Sequence, residues 1–543
     1  MVININDDRM IMEFLSGRYL GVPDGHTVYM NYPLTGFLAI LYRLLPQVDW
    51  YGYFLAAVMA VCAGLIIYRM TGQGEMHGKK WLCLIASLGM LCFAIGREFF
   101  SVTYTTVAAI TGATAVLWYG TSQEKKKDLM ITAVLAALTW CIRDDLFFMI
   151  LPGAGLIFLW KELPVKEKLW KKIVTPLAVL GLTGLCMLVN CWMYSGEDWQ
   201  RYQAFNQLRT EIYDYQDTYY FPNYDEYTEY YERLGLTREE RRMLIYYNFT
   251  LVQDEIGREE VIELFQKMID IRGDYGVNEE LLPLRQRIPV ETKDFLVHSL
   301  TGAYGKLFNL SILGFLMLAI WEIRKKDWFS LLRTLCFAGA GAGLFLVMEI
   351  RGRMPDRVVY SLSLLLFTTM VLNLWWNREE IFQNRFLKKC IQVASWGCSL
   401  VGVVSCVLVI SANRPFMENE KELVQIQNYC RECEENFYFV TGEVLDEYGG
   451  VICAPFKNNE QLNYISTGDW ISYSPIESMK LEQNGITSVS EALLYDKNVY
   501  LISVKDSANL GFITDYLSLR AGYEVMAKEV EGLTEEYAVY RFE

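Results

Sequence analysis

Long apolar stretches recur along this chain and are separated by segments rich in charged residues. A helix that crosses a lipid bilayer needs roughly 20 mostly apolar residues, and an uncharged stretch of that length is hard to explain in water. The clearest stretches are residues 50–68, 81–95, 104–119, 129–142, 146–160, 173–194, 307–323, 331–348, 358–376 and 391–410. The pattern therefore predicts a mainly α protein with a polytopic transmembrane bundle of about ten helices.

Composition indicates that the chain also has large parts in water. Apolar residues are 52% of the 543 residues and the mean hydropathy is +0.15, which is too apolar for a soluble protein and too polar for a bare bundle. The predicted divisions are a first outer loop (1–49), transmembrane helices (50–195), a large outer loop (196–306), further transmembrane helices (307–411) and a C-terminal α/β domain (412–543).

Basic residues set the expected orientation, because short connections rich in Lys and Arg stay in the cytoplasm. Such connections lie at 69–80, 125–127, 161–172, 324–326 and 378–389. The long polar segments and the C-terminal domain then face the outside, and a bacterial plasma membrane is the expected location. No signal peptide precedes the first outer segment, so we also expect a further N-terminal helix upstream of Met1.

Two short amphipathic runs occupy the first outer loop. Residues 7–20 place Met10 and Phe14 at helical spacing, and residues 34–45 repeat this pattern. Both runs are too short to span a bilayer, so they are predicted to be interfacial helices on the outer leaflet. The turn at 21–25 would leave Asp24 and His26 on a nearby loop.

The outer loop 196–306 and the C-terminal segment are predicted to fold. The loop has a tyrosine-rich stretch at 213–231, which suits either sugar stacking or a membrane interface, and a helix at 259–271. The C-terminal segment should have a helix at 419–435 and strands at 437–440, 451–454, 499–503 and 537–542. Trp470 suits a core position better than a saccharide platform. Cys430, Cys433 and Cys453 suggest neither a disulfide framework nor a zinc site.

Ionisable residues at the outer helix ends are candidates for function, because burying them is unfavourable. They are Arg97, Glu98, Arg143, Asp144, Asp145, Arg351, Arg353 and Arg357. Arginines concentrated on the outer face require compensation, and phosphate oxygens suit a planar guanidinium. Pairing with Glu349, Asp356 or lipid headgroups explains them equally well.

Asp7 and Asp8 are predicted to open a helix with Asn6 as its cap. Their carboxylates can simply favour the helix N-terminus. The same dipole would keep a carboxylate ionised, as a general base requires.

This layout resembles the GT-C class of membrane glycosyltransferases, which includes protein mannosyltransferases and aminoarabinose transferases. The resemblance rests on Asn6-Asp7-Asp8 in the first outer loop, the two interfacial helices, Tyr104-Thr105-Thr106 and the run 141–145, and it covers residues 1–411.

The resemblance implies inverting transfer of a sugar from a polyprenyl phosphate to a glycan, lipid or protein acceptor. It implies Asp7 as base, with Asp8 as neighbour or substitute. Positive charge for the departing phosphate would come from Arg143, Arg351, Arg353 or Arg357. Substrate contacts would come from Asp24, His26, Arg97, Glu98, Tyr104, Asp144 and Asp145.

Two other function classes stay open, a transporter or flippase of lipid-linked sugars and a non-catalytic membrane scaffold. Neither a metal site nor a cofactor is assigned, although a divalent cation that assists Asp7 and Asp8 is an open alternative. The net charge of −14 indicates no partner, and no nucleic-acid partner is expected.

Overall fold

The protein is mainly helical. The computed structural model describes residues 2–3, 6–71, 80–122, 126–166, 169–214, 220–277, 284–446, 450–451 and 461–543. The chain begins with β1 (Val2–Ile3), α1 (Asn6–Ser16) and α2 (Tyr32–Leu44).

A first group of helices covers most of residues 50–193. Its members are α3 (Trp50–Thr71), α4 (Lys80–Phe100), α5 (Tyr104–Thr121), α6 (Lys126–Ile142), α7 (Asp144–Ile157) and α8 (Leu169–Met193), with strand β2 (Ser101–Val102) between α4 and α5. A π turn, Phe158–Glu162, extends α7. A second group follows the outer loop and consists of α15 (Gly305–Lys325), α16 (Trp328–Ile350), α17 (Asp356–Trp376), α18 (Arg378–Gln383) and α19 (Arg385–Ala412).

Every apolar stretch predicted to span the membrane is helical. In the described part of the chain, 6 helices are long and apolar enough to cross a bilayer: α3, most of α8, α15, α16, α17 and α19. Of the other predicted spans, α6 has 17 residues and α7 has 14. α5 is buried along its whole length, which explains why it tolerates several threonines. The fold is therefore that of a polytopic helical membrane protein, and ten crossings remain a prediction.

The outer loop is folded rather than irregular. It contains α9 (Glu197–Tyr213), α10 (Thr228–Leu234), α11 (Arg238–Ile245), α12 (Phe249–Val252), α13 (Arg258–Ile271) and α14 (Leu284–Thr301). The helix predicted at 259–271 is confirmed as α13. In the tyrosine-rich stretch, Tyr220, Tyr230 and Tyr231 are buried in the core of this region, whereas Tyr224 and Tyr227 are partly exposed.

The C-terminal segment is an α/β unit, as predicted. Its helices are α20 (Arg414–Glu432), α21 (Gly442–Asp446), α22 (Pro475–Gln483), α23 (Val489–Tyr495) and α24 (Ala508–Ala521). Its strands are β3 (Phe437–Val440), β4 (Gly450–Val451), β5 (Tyr464–Ser466), β6 (Val499–Val504), β7 (Ala527–Gly532) and β8 (Tyr537–Phe542). The order β5-β3-β6-β8-β7 forms a mixed five-stranded sheet.

Three of the four predicted strands, β3, β6 and β8, are confirmed. β4 covers only the start of the fourth, whose residues 452–454, including Cys453, lie outside the described part. The prediction missed β5 and β7.

One hydrophobic core joins the outer loop to the C-terminal sheet. Alternating side chains of β3 point to opposite faces, so Phe437 and Phe439 enter this shared core while Tyr438 and Val440 enter a smaller one. Trp470 lies in the shared core, which agrees with the core position predicted for it. A small sheet, β2-β1-β4, links the start of the chain to the junction of α4 with α5 and to the C-terminal unit.

The two predicted interfacial helices differ in structure. α2 buries Leu34 and Leu38 and leaves Phe37 and Ile40 exposed, so it has the free apolar face expected of an interfacial helix. α1 does not. Its residues Ile11 and Leu15 pack in the bundle core, while Met10 and Phe14 pack in the shared core. α1 is therefore enclosed between the bundle core and the shared core, so the prediction of an interfacial helix is wrong for α1.

Candidate functional site

Asp8 anchors the first turn of α1. It is fully buried, and its Oδ1 accepts hydrogen bonds from the Tyr51 hydroxyl at 2.5 Å and from the Tyr104 backbone N–H at 2.9 Å. Its Oδ2 has no hydrogen-bond partner among the described residues. Burial raises the pKa of Asp8 to about 7, and the two hydrogen bonds oppose this rise. Asp8 thus holds α1 against α3 and α5.

Asp7 is the more accessible of the two carboxylates. Its side chain keeps 13% of its surface exposed, and its Oδ2 lies 3.6 Å from Nη1 of Arg357. Burial raises the pKa of Asp7, while the positive charges of Arg357, Arg143 and Arg209 lower it. Asp7 therefore stands in a strongly positive environment.

Arg143 reaches this environment from the N-terminal end of α7. Its Nη1 donates to the Tyr104 hydroxyl at 2.8 Å and to Oγ1 of Thr105 at 2.9 Å. Thr103 caps α5 through a capping box with Thr106, which fixes the start of the helix that carries Tyr104 and Thr105. Asp7, Asp8, Arg143 and Tyr104 thus lie close together in the structure.

The outer loop adds Asp214 and Arg209, which sequence reasoning missed. Oδ2 of Asp214 lies 3.1 Å from Nη2 of Arg353, and its Oδ1 lies 3.7 Å from Nη1 of Arg209. Arg209 also donates hydrogen bonds to the hydroxyls of Tyr247 and Tyr29. We define Asp7, Arg143, Arg209, Asp214, Arg353 and Arg357 as the polar cluster.

A signal for Arg209 does exist in the sequence. Tyr202, Phe205, Arg209 and Ile212 recur at helical spacing, and all four are buried. An arginine on the apolar face of a helix is a candidate for a specific role because its charge must be compensated.

A cavity of about 580 Å³ adjoins the polar cluster at Arg357. Its walls are the C-terminal end of α4 and the N-terminal ends of α5, α15 and α17. Arg97, Glu98, Lys306 and Arg357 line it together with apolar side chains, among them Phe93. We call it the amphiphilic cavity, because cationic and apolar groups share its walls.

A second cavity of about 700 Å³ lies beside α9. Arg351 lines this cavity, so it does not join Arg353 and Arg357 in the polar cluster. The facing walls come from α8, α9 and the segment before α2. We call it the amide-lined cavity, because Asn31, Asn190 and Asn206 contribute to it.

Asp24 and His26 form a group of their own. Oδ1 of Asp24 lies 2.7 Å from Nδ1 of His26, whose ring stacks on Trp199 at 4.8 Å between centroids. Burial raises the pKa of Asp24, but hydrogen bonds and charge from His26 outweigh this and lower it overall.

Asp144 and Asp145 are exposed at the start of α7, and Asp145 lies 3.6 Å from Nη2 of Arg143. Glu349, Asp356 and lipid headgroups are the alternative partners that the sequence offers for the outer arginines. Glu349 instead accepts hydrogen bonds from Tyr304 and lies 3.0 Å from Nδ1 of His298.

The chain matches no protein-family model and no curated protein. Among solved structures it is similar to ArnT from Cupriavidus metallidurans in the apo state, with a TM-score of 0.39 and 11% identity. It is also similar to the same protein bound to undecaprenyl phosphate, with a TM-score of 0.36 and 13% identity. Each match covers 99% of this chain and 93% of the other. Similarities of this strength establish no function for the chain.

Proposed function

We propose that the protein is a membrane glycosyltransferase that moves a sugar from a polyprenyl phosphate to an acceptor outside the cytoplasm. The observation that carries the proposal is the position of Arg357, which pairs with the Asp7 carboxylate and also lines the amphiphilic cavity. A base and a site for an amphiphilic anion therefore adjoin. The GT-C resemblance of the sequence points to the same reaction.

Asp7 is the proposed base, because it is partly exposed while Asp8 is buried and hydrogen-bonded. The acceptor hydroxyl oxygen attacks the anomeric carbon of the donor sugar, and the hydroxyl proton passes to the Asp7 carboxylate. The bond between the anomeric carbon and the phosphate oxygen breaks, and polyprenyl phosphate leaves with the electron pair. Attack opposite the leaving group inverts the anomeric centre.

The donor phosphate is proposed to bind between Arg357, Arg97 and Lys306. These cations line the amphiphilic cavity, and Nζ of Lys306 also donates to Oγ of Ser405 at 3.1 Å. Positive charge next to the leaving oxygen stabilises the phosphate as it departs. Apolar side chains such as Phe93 and Leu307 suit the first isoprene units.

Turnover of radiolabelled polyprenyl phosphate sugars by the purified protein tests the proposal. Asp7→Asn removes the base, so we expect donor consumption to fall by roughly a hundredfold or more. Asp8→Asn should retain turnover, because an amide oxygen can still accept from Tyr51 and Tyr104. The surface substitution Asp515→Asn is the matched control.

Full activity of folded Asp7→Asn would rule out Asp7 as the base. A wild-type protein that consumes no donor across a broad panel would favour a transporter or a scaffold. A transporter would then move lipid-linked sugars across vesicle membranes, and a scaffold would not.

A further inference from the structure

The amide-lined cavity offers hydrogen-bonding groups whose direction is fixed by the protein. Oδ1 of Asn190 accepts from the Tyr32 backbone N–H at 2.8 Å, and Oδ1 of Asn206 accepts from Nε of Arg209 at 2.9 Å. Both amide nitrogens stay available as donors, with no hydrogen-bond partner in the described part of the chain. Asn31 is anchored the other way, because its Nδ2 donates to the Trp140 carbonyl at 2.6 Å and its oxygen remains available.

The cavity thus presents amide nitrogens that can donate and an amide oxygen that can accept. This combination suits a ligand that both accepts and donates hydrogen bonds. A hydroxyl group does both, and adjacent hydroxyls of a sugar match several amides at once. Tyr194, which keeps 7% of its surface exposed, also lines the cavity. Because these groups are already held in place, less conformational entropy is lost when a ligand binds.

Other ligand classes fit this cavity less well. An anion is the strongest competitor, because Arg287 and Arg351 line the cavity, although Nη2 of Arg287 already donates to the Ile350 carbonyl at 2.7 Å. The polar walls are unfavourable for a lipid tail. The described lining comes from helices and the 28–31 segment, so it offers no strand edge that would pair with an extended peptide.

The cavity adjoins the polar cluster through Arg209. Nη2 of this residue donates to Oγ1 of Thr210, which lines the cavity, and Arg209 also acts electrostatically on Asp7. The amphiphilic cavity meets the same cluster at Arg357. The two cavities therefore approach the Asp7 region separately.

We propose that the amide-lined cavity binds a polyhydroxylated, glycan part of the acceptor. The identification of this ligand as the acceptor rests on the proposed function, whereas sugar binding in the cavity does not depend on it. The volume of about 700 Å³ lies in the range of small-molecule sites, roughly 300–1,000 Å³. The acceptor would thus be recognised through its sugars and not through a lipid or peptide portion.

Saturation-transfer NMR on the purified protein tests the proposal with neutral tetrasaccharides of glucose, mannose, galactose and N-acetylglucosamine. Tetra-alanine and inorganic phosphate serve as competing ligand classes. Gln207 lines the cavity from the exposed side of α9 and carries the test substitutions. Gln266, which is exposed on α13 outside the cavity, carries the matched controls.

We expect at least one tetrasaccharide to bind. Gln207→Ala should weaken its binding by roughly three- to tenfold, the effect of one hydrogen bond. Gln207→Trp should weaken binding further by obstructing the cavity, and neither Gln266→Ala nor Gln266→Trp should change it.

Failure of all four tetrasaccharides to bind, binding that is unchanged in Gln207→Trp, or preferential binding of tetra-alanine or phosphate would overturn the proposal. Donor turnover measured on the same samples keeps the two proposals apart. Turnover without sugar binding rejects only the cavity proposal, and sugar binding without turnover rejects only the glycosyltransferase.

Discussion

At the scale of single residues, the two neighbouring aspartates of α1 have different environments. Asp8 is enclosed and hydrogen-bonded to Tyr51 and Tyr104, whereas Asp7 is partly exposed and surrounded by arginines. A helix places consecutive side chains about 100° apart, so one can face the bundle core while the next faces the polar cluster. Asp8 therefore anchors α1, whereas Asp7 is the candidate base.

The raised pKa of Asp8 predicts a pH-dependent stability. Its pKa is about 7 in the folded protein against an ordinary 3.8, so the folded state keeps a proton that the unfolded state has lost. Stability should fall as pH rises from about 4 to 7, by roughly 4 kcal/mol for the full titration. Asp8→Asn should flatten this dependence, which thermal unfolding of both proteins at pH 5, 6, 7 and 8 will measure. Equal pH dependence in the two proteins would contradict the prediction.

Arg357 should control the pH at which Asp7 works. Its charge lowers the pKa of Asp7, so Arg357→Gln should raise that pKa. A base acts when ionised, and the acid limb of kcat/KM should therefore move to higher pH. The pH–rate profiles of wild type, Arg357→Gln and the control Arg324→Gln test this. If the acid limb of kcat/KM stays at the same pH in Arg357→Gln, the ionisation of Asp7 does not determine that limb.

At the scale of elements, the contact between the outer loop and the C-terminal unit is very close. The backbone N–H of Thr250 donates to the Thr467 carbonyl at 2.9 Å. A Cβ atom at Gly468 would lie 1.5 Å from the carbonyl oxygen of Tyr247. Only glycine fits there without a backbone shift.

Gly468→Ala should therefore destabilise the protein by several kcal/mol, on the order of 3. Gly511→Ala is the matched control in the same unit, because that helical glycine has open space around it and alanine favours helices. Thermal unfolding and limited proteolysis will compare the variants. A Gly468→Ala protein as stable as wild type would mean that the contact is looser than described.

The sequence predicted the positions of helices and strands better than the tertiary contacts that they make. Apolar runs located the long helices, and runs rich in β-branched and aromatic residues located β3, β6 and β8, because these signals are local. The enclosure of α1 was missed because Arg9 and Glu13 look like a solvent-exposed face. Both are buried, and Nη1 of Arg9 donates to the Leu445 carbonyl at 3.0 Å. A partner 436 residues away leaves no local trace in sequence.

The candidate site was predicted in the same partial way. Arg143, Arg353 and Arg357 were selected because each is a charged residue at the outer end of an apolar helix. Asp7 was selected because it belongs to the acidic pair that opens a helix in the first outer loop, as the GT-C resemblance implies for the base. Asp214 has no such marker, since it lies in a polar loop and its role depends on the tertiary contact with Arg353. Arg351 was grouped with its neighbours although it lines a different cavity.

At the scale of the whole molecule, the shared core makes the C-terminal unit dependent on the rest of the chain. Phe14, Phe205 and Trp470 belong to one cluster, although they come from three distant segments. Residues 414–543 expressed alone should lack a cooperative thermal transition, because their apolar face is uncovered. Circular dichroism with heating will check this, and a sharp transition in the isolated segment would contradict it.

The orientation can be tested on the same scale. We expect alkaline phosphatase fused after Glu543 to be active in a bacterial host and a green fluorescent protein fused there to be dark. Fusions after Lys326 should show the opposite pattern, because that end of α15 carries the basic residues expected in the cytoplasm. Reversed signals would invert the assignment of the two faces.

The enclosure of α1 also has a consequence for biosynthesis. The helix that carries Asp7 and Asp8 leaves the ribosome long before two of the residues it contacts, Leu445 and Trp470. At elongation rates of roughly 5–20 residues per second, those partners appear about 20 to 90 seconds later. During that interval α1 lacks its contacts with the C-terminal unit. α1 therefore reaches its final surroundings only after residue 470 has been translated, so a chain truncated before that point would hold the helix of Asp7 and Asp8 less firmly.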